Sequence, residues 1–226
     1  MNRRTILGRL LLDPAGEERD PFSGELSRQR ASVLGMWLLI LTLAILFAAA
    51  IMAFVVVRFD LSSRGERFVP FGSPGLPRML LASTALLIAS GVVLHGAVRC
   101  ARQAGRPDRV ARSLKVSLVL GLGFLVTQLI AWWQMATAMA PDASGLRAVL
   151  AAATANLYGW TFFVMTGLHA AHVVGGLVPL AIVTHRAGKG WYSAGAERGL
   201  VMVSMYWHFL DAAWIVLYLT LWLATG

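Results

Sequence analysis

Four side chains combine chemical reactivity with strongly apolar surroundings. His169 and His172 lie in GLHAAHVVGG, and His208 and Asp211 lie in YWHFLDAAW. Each pair is three residues apart, so on a helix its members share nearly one face. Imidazole titrates near neutral pH and is the commonest metal ligand, and a neighbouring carboxylate can fix its tautomer. Two chemistries are open. The reading the residues favour is a hydrogen-bonded cluster, with Asp211 accepting from an imidazole and locking two helices together. The sharper alternative makes two histidines axial ligands of haem, or three of the groups a metal site. Haem between helices needs facing imidazoles across a wide gap, and histidines three residues apart are too crowded to serve two separate haems. Cys100 is the only cysteine, which excludes an internal disulfide, a CxxC pair and a thiolate-only metal site.

The elements that position these groups follow from composition. Hydrophobic residues make up 58% of the 226 residues and charged residues 14%, too little polar surface to cover a water-soluble exterior. A helix needs about 20 apolar residues to cross the roughly 30 Å hydrocarbon layer. Five such runs occur, near Ala31–Val57, Leu76–Val98, Leu114–Ala136, Asn156–Thr184 and Gly199–Thr225. The expected fold is therefore all-α, a five-helix transmembrane domain over residues 31–226 behind a polar, cytoplasmic N-terminal segment over residues 1–30. Arg3, Arg4 and Arg9 interrupt the apolar start too often for a secretory signal, and no cleavage is expected there.

The net charge of +9 is topological. Fifteen of the twenty Lys and Arg residues fall before the first span, between the second and third, or between the fourth and fifth. The other five are Arg58, Arg64, Arg67, Arg78 and Arg147. The positive-inside bias then puts the N-terminus in the cytoplasm and the C-terminus outside. Anionic lipid is the expected counterion, and nucleic acid is not an expected partner.

With these spans, both histidine-bearing motifs fall in the middle third of the membrane at 1.5 Å rise per residue. His95, about a turn from the cytoplasmic end of the second span, reads as a snorkelling or capping residue. His185, beside Arg186, reads as an interfacial cation. Ser83, Thr84, Ser90, Thr127 and Gln128 can bond neighbouring helices, and Gln128 can equally reach a lipid headgroup or a partner. Ala44, Ala48, Ala49 and Ala53 are spaced as a packing face of the first span. Trp37 and Arg58 are expected to anchor its two ends, and the tryptophans in general to mark the interfacial belt. Pro179 is the proline inside a span and can kink it. No fixed repeat, inverted halves or broken helix of the kind that marks a transport site is visible.

At the fourth and fifth spans the sequence becomes specific. YGWTFFVMTGLHAAHVVGG (Tyr158–Gly176) and YWHFLDAAWIVLY (Tyr206–Tyr218) closely resemble the two closing helices of subunit III of haem-copper respiratory oxidases. LGMW (Leu34–Trp37), STALLIASG (Ser83–Gly91) and LGLGFLVTQ (Leu120–Gln128) are weaker similarities in the matching order. The resemblance covers nearly all of residues 31–226, in the family's five-helix bacterial form. It implies a noncatalytic accessory subunit of the cytochrome c oxidase type, in the bacterial inner membrane, bound to catalytic subunits I and II. No catalytic, cofactor-binding or metal-binding residue is assigned to this chain, and haem and copper are expected in the partner subunits. The implied roles are stabilising the catalytic subunit, binding phospholipids and shaping oxygen access.

Carried over residue by residue, His169, His172, His208 and Asp211 keep a structural role. His95, Gln128, Tyr158, Tyr206 and Trp207 are candidate lipid or partner contacts. The family's buried glutamates are replaced here by Leu43, Ala131 and Val201, which turns the expectation from proton handling toward support and lipid binding. The competing readings are a subunit III-like component of a quinol oxidase or nitric oxide reductase, a stand-alone membrane cytochrome and a small transporter.

Overall fold

The computed structural model describes residues 25–66, 68–69, 75–103, 107–190 and 198–225, and among these there are helices and connecting turns but no strand. The helices are α1 (Glu25–Ser63), α2 (Met79–Arg102), α3 (Pro107–Met139), α4 (Gly145–Ala155), α5 (Leu157–Gly188) and α6 (Arg198–Thr225). All but α4 are long and apolar enough to cross a membrane, the first from Arg30. The chain is thus all-α, with five membrane-spanning helices. α1 and α3 run beyond their expected apolar spans at both ends and α5 beyond its C-terminal end, whereas α2 starts at Met79, after the expected Leu76, and runs on to Arg102, and α6 matches its expected span to within one residue. The segment before residue 25, with most of the expected N-terminal arm, lies outside the described residues.

The chain divides into two units, Met1–Thr42 and Leu43–Gly226. In the first, the described part of α1 exposes Val33, Leu34, Trp37, Leu38 and Leu41, an apolar surface suited to a bilayer. Arg30, Val33, Leu34 and Trp37 line a shallow recess there.

The second unit owes its packing to regular stripes of buried residues. In α3 they are Val110, Leu114, Ser117, Gly121, Phe124, Gln128, Ala131 and Met135, alternating spacings of four and three. In α6, Leu200, Val203, Trp207, Leu210, Trp214, Leu217 and Leu221 repeat the pattern. A seven-residue period keeps one seam of each helix facing its neighbours along the whole span. α3 packs on α2 and α5, and α6 packs on α2 and α5.

Small hydroxyls weld the α2–α3 crossing. Ser90 Oγ donates to the Ser117 carbonyl at 2.8 Å, and Ser117 Oγ donates to the Ser90 carbonyl at 3.0 Å, both buried. In hydrocarbon, where helices gain little from hydrophobic association, such exchanges are a main source of specific contact.

Two features depart from expectation. The segment between the third and fourth membrane helices forms the short helix α4, which buries Ala148 and Ala152. It turns into α5 through Asn156, whose side chain accepts from the Gly159 amide at 2.9 Å and so caps the new helix. The expected alanine face of α1 is also corrected. Ala48, Ala49 and Ala53 are exposed, whereas Phe47 and Phe54, seven residues apart, are buried. The rings reach where a methyl group cannot, so this part of α1 stands off its neighbours on two aromatic side chains. Phe47 packs on Phe209, and Phe54 meets Phe68, which in turn meets Tyr158. Arg58 donates to the Leu223 carbonyl at 3.1 Å, beside a cavity of about 400 Å3 lined by Ile51, Phe54, Phe59, Thr220 and Leu223.

Candidate functional site

The polar groups of α5 and α6 separate into two sites. His169 is fully buried on the inner face of α5. Its ring lies 4.9 Å from that of Trp214 and 5.7 Å from that of Phe124, the latter edge-on, with Phe47 closing the third side at 6.1 Å. Neither imidazole nitrogen has a hydrogen-bond partner. His172, one turn on, places Nδ1 2.7 Å from the Leu168 carbonyl of its own helix. The α5–α6 contact is made instead by Tyr206, whose hydroxyl donates to the His172 carbonyl at 3.1 Å. Gly176 makes room for it, since a Cβ there would sit 2.9 Å from the Tyr206 ring.

His208 and Asp211 face the other way, toward α2. His208 Nδ1 is 3.5 Å from Asp211 Oδ2, an interaction within α6. The carboxylate lies so close to Gly91 of α2 that a Cβ there would collide with it. The ring of His95, also on α2, lies 5.7 Å from the His208 ring and is tilted to it by 55°. The expected clasp of His169 and His172 to His208 and Asp211 is therefore not formed. Helical spacing puts each pair on one face of its own helix, but the rotation of α6 turns that face to α2. His169 has no partner at either nitrogen and Asp211 Oδ1 has none.

The candidate lipid or partner contacts sort by burial. Gln128, Tyr158 and Trp207, expected to reach lipid or a partner, line the bundle interior instead. Gln128 belongs to the buried stripe of α3, and the indole of Trp207 fills the space left by Gly121. Tyr206 is half-buried and already engaged, and His95 is exposed. Two interior contacts give tryptophans a role other than the expected interfacial belt. Trp214 Nε1 donates to Thr84 Oγ1 and Trp132 Nε1 to Thr166 Oγ1, each at 2.9 Å, so two of the tryptophans are interhelical donors rather than belt residues. A tryptophan flanked by small hydroxyl-bearing helices was the available clue. Among the described residues no three His, Cys, Asp or Glu side chains converge closely enough to hold a metal ion. What this arrangement can do chemically is hold helices in register.

The family model for cytochrome c oxidase subunit III matches residues 24–225. Cytochrome c oxidase subunit 3 of Corynebacterium diphtheriae is 31% identical over 142 residues, 63% of this chain and 63% of that protein. The protein of the same name from Lumbricus terrestris is 33% identical over 153 residues, covering 68% of this chain and 51% of the relative. That of Pelomedusa subrufa is 30% identical over 142 residues, covering 63% and 49%. The matched part thus spans from about half to under two thirds of these relatives. With five membrane helices, the two motif-bearing closing helices and a match over almost the whole length, this chain belongs to the cytochrome c oxidase subunit III family.

Proposed function

We propose that this chain is the noncatalytic subunit III of a haem-copper terminal oxidase in a bacterial inner membrane, with its N-terminus in the cytoplasm. In this reading catalytic subunits I and II carry the haem and copper, and this chain stabilises them. The family match over residues 24–225 carries the proposal. The interior supports it, since Ser90 and Ser117, Trp214 and Thr84, and Trp132 and Thr166 are spent on helix-to-helix hydrogen bonds. Leu43, Ala131 and Val201 stand where a carboxylate-dependent role would need glutamate.

Phospholipid binding is part of the same proposal. The cavity between α1 and α6 offers an apolar trough with Arg58 at its edge, a combination suited to an acyl chain and an anionic headgroup. The exposed apolar faces also give dioxygen, an apolar solute, a low-resistance approach through the bilayer.

The test is purification of the tagged chain from its own membranes in mild detergent. Oxidase subunits I and II are expected with it in equal amounts, and deleting the chain should leave an oxidase that loses activity faster during turnover. Recovery of the chain free of both subunits would overturn the proposal.

A further inference from the structure

The groove between α2 and α6 exposes two imidazoles within the membrane-spanning part of the bundle. His208 leaves 42% of its side chain uncovered. His95, across the groove, is exposed as well, and the two rings are 5.7 Å apart. Beneath them Asp211 is 13% exposed, with Oδ1 buried and unpartnered. Counting from Arg198 at the start of α6, His208 and Asp211 lie about 15 Å and 20 Å along the helix, inside a hydrocarbon layer of roughly 30 Å. α3 shows the contrast, since every residue it exposes from Val116 to Trp133 is apolar. Polar groups facing hydrocarbon at such depth are costly unless something hydrogen-bonds them.

An acyl chain cannot do so, and a headgroup stays at the membrane surface. A second helix can. The rim of the groove suits one: Ile88 and Val92 on α2 and Ala212 and Ile215 on α6 are exposed and apolar, flanking the polar centre over about two turns. A hydroxyl or carboxamide both donates and accepts, so it matches His208 in either tautomer.

We propose that the α2–α6 groove, centred on His95, His208 and Asp211, docks a transmembrane helix of a partner oxidase subunit that presents a hydroxyl or carboxamide to the His208 ring. The proposal rests on the subunit reading above and adds the face and the chemistry of contact.

A photoreactive benzoylphenylalanine placed at Val92, 66% exposed, tests it against the same group at Val119 of α3, 65% exposed. The tagged full chain is irradiated in native membranes, and adducts are identified by mass spectrometry. Co-purification of the core subunits is scored on an unirradiated portion. The expected result is an adduct with a core oxidase subunit from Val92, well above that from Val119. If the core subunits co-purify but Val92 yields only lipid adducts, or no more protein adduct than Val119, the docking face is overturned and the subunit reading stands. If no core subunit co-purifies, the subunit reading itself has failed. In parallel, His208→Leu should lower retention of the core subunits in stringent detergent about three- to tenfold, and His208→Gln should restore most of it. Equal retention in wild type and His208→Leu would also overturn the proposal.

Discussion

Replacing Gly91 with alanine puts a methyl group where the Asp211 carboxylate now lies. The carboxylate cannot simply swing aside, because its other oxygen is buried and it is held near His208. Either α2 and α6 separate locally or Asp211 leaves its rotamer. Overpacking of this kind costs about 1–3 kcal/mol. Alanine for glycine within a helix returns about 0.5–1 kcal/mol. The steric term wins at the middle of both ranges, leaving a net loss of about 1 kcal/mol and at most about 2.5 kcal/mol. For a chain of 226 residues that corresponds to a Tm lower by about 2–4 °C, and by at most about 10 °C. Thermal denaturation of the purified full chain in detergent reads it. Gly96→Ala is the control, since nothing lies within 4 Å of a Cβ at that position; it should be neutral or slightly stabilising. Asp211→Ala in the Gly91→Ala background removes the colliding group, so the pair should couple by about 1–3 kcal/mol. An unchanged Tm for Gly91→Ala, or a double variant no better than the sum of the singles, would refute the close approach of α2 and α6 at this point.

Two further outcomes are expected. His169→Phe keeps a ring between Trp214, Phe124 and Phe47 and removes two unpartnered nitrogens, so it should be neutral or stabilising by up to about 2 kcal/mol, whereas His169→Ala should cost about 2–4 kcal/mol; a Phe variant as unstable as the Ala variant would show that the nitrogens matter. Asn156→Ala removes the cap on α5 and should cost about 1 kcal/mol; denaturation midpoints unchanged by the substitution would count against the capped corner.

The five membrane helices were legible because a span depends on a local property, the number of consecutive apolar residues relative to bilayer thickness, and that count survives any arrangement of neighbours. The pairing of His169 with His172 and of His208 with Asp211 on single helix faces was legible for the same reason, since 3.6 residues per turn is also local. Family membership was readable from the order of residues in the two closing helices. What the sequence alone could not decide was which face of each helix turns toward which neighbour. In a bilayer the outward and inward faces are both apolar, so hydrophobic pattern does not orient a helix as it does in water. Rotation of α6 sends Asp211 to Gly91 rather than to His169, and the fit of large rings into small gaps stands α1 on Phe47 and Phe54 rather than on its alanines. Gln128, Trp207 and Trp214 are interior for the same reason. Those choices belong to shape complementarity among helices far apart in sequence, and only the tertiary structure contains it.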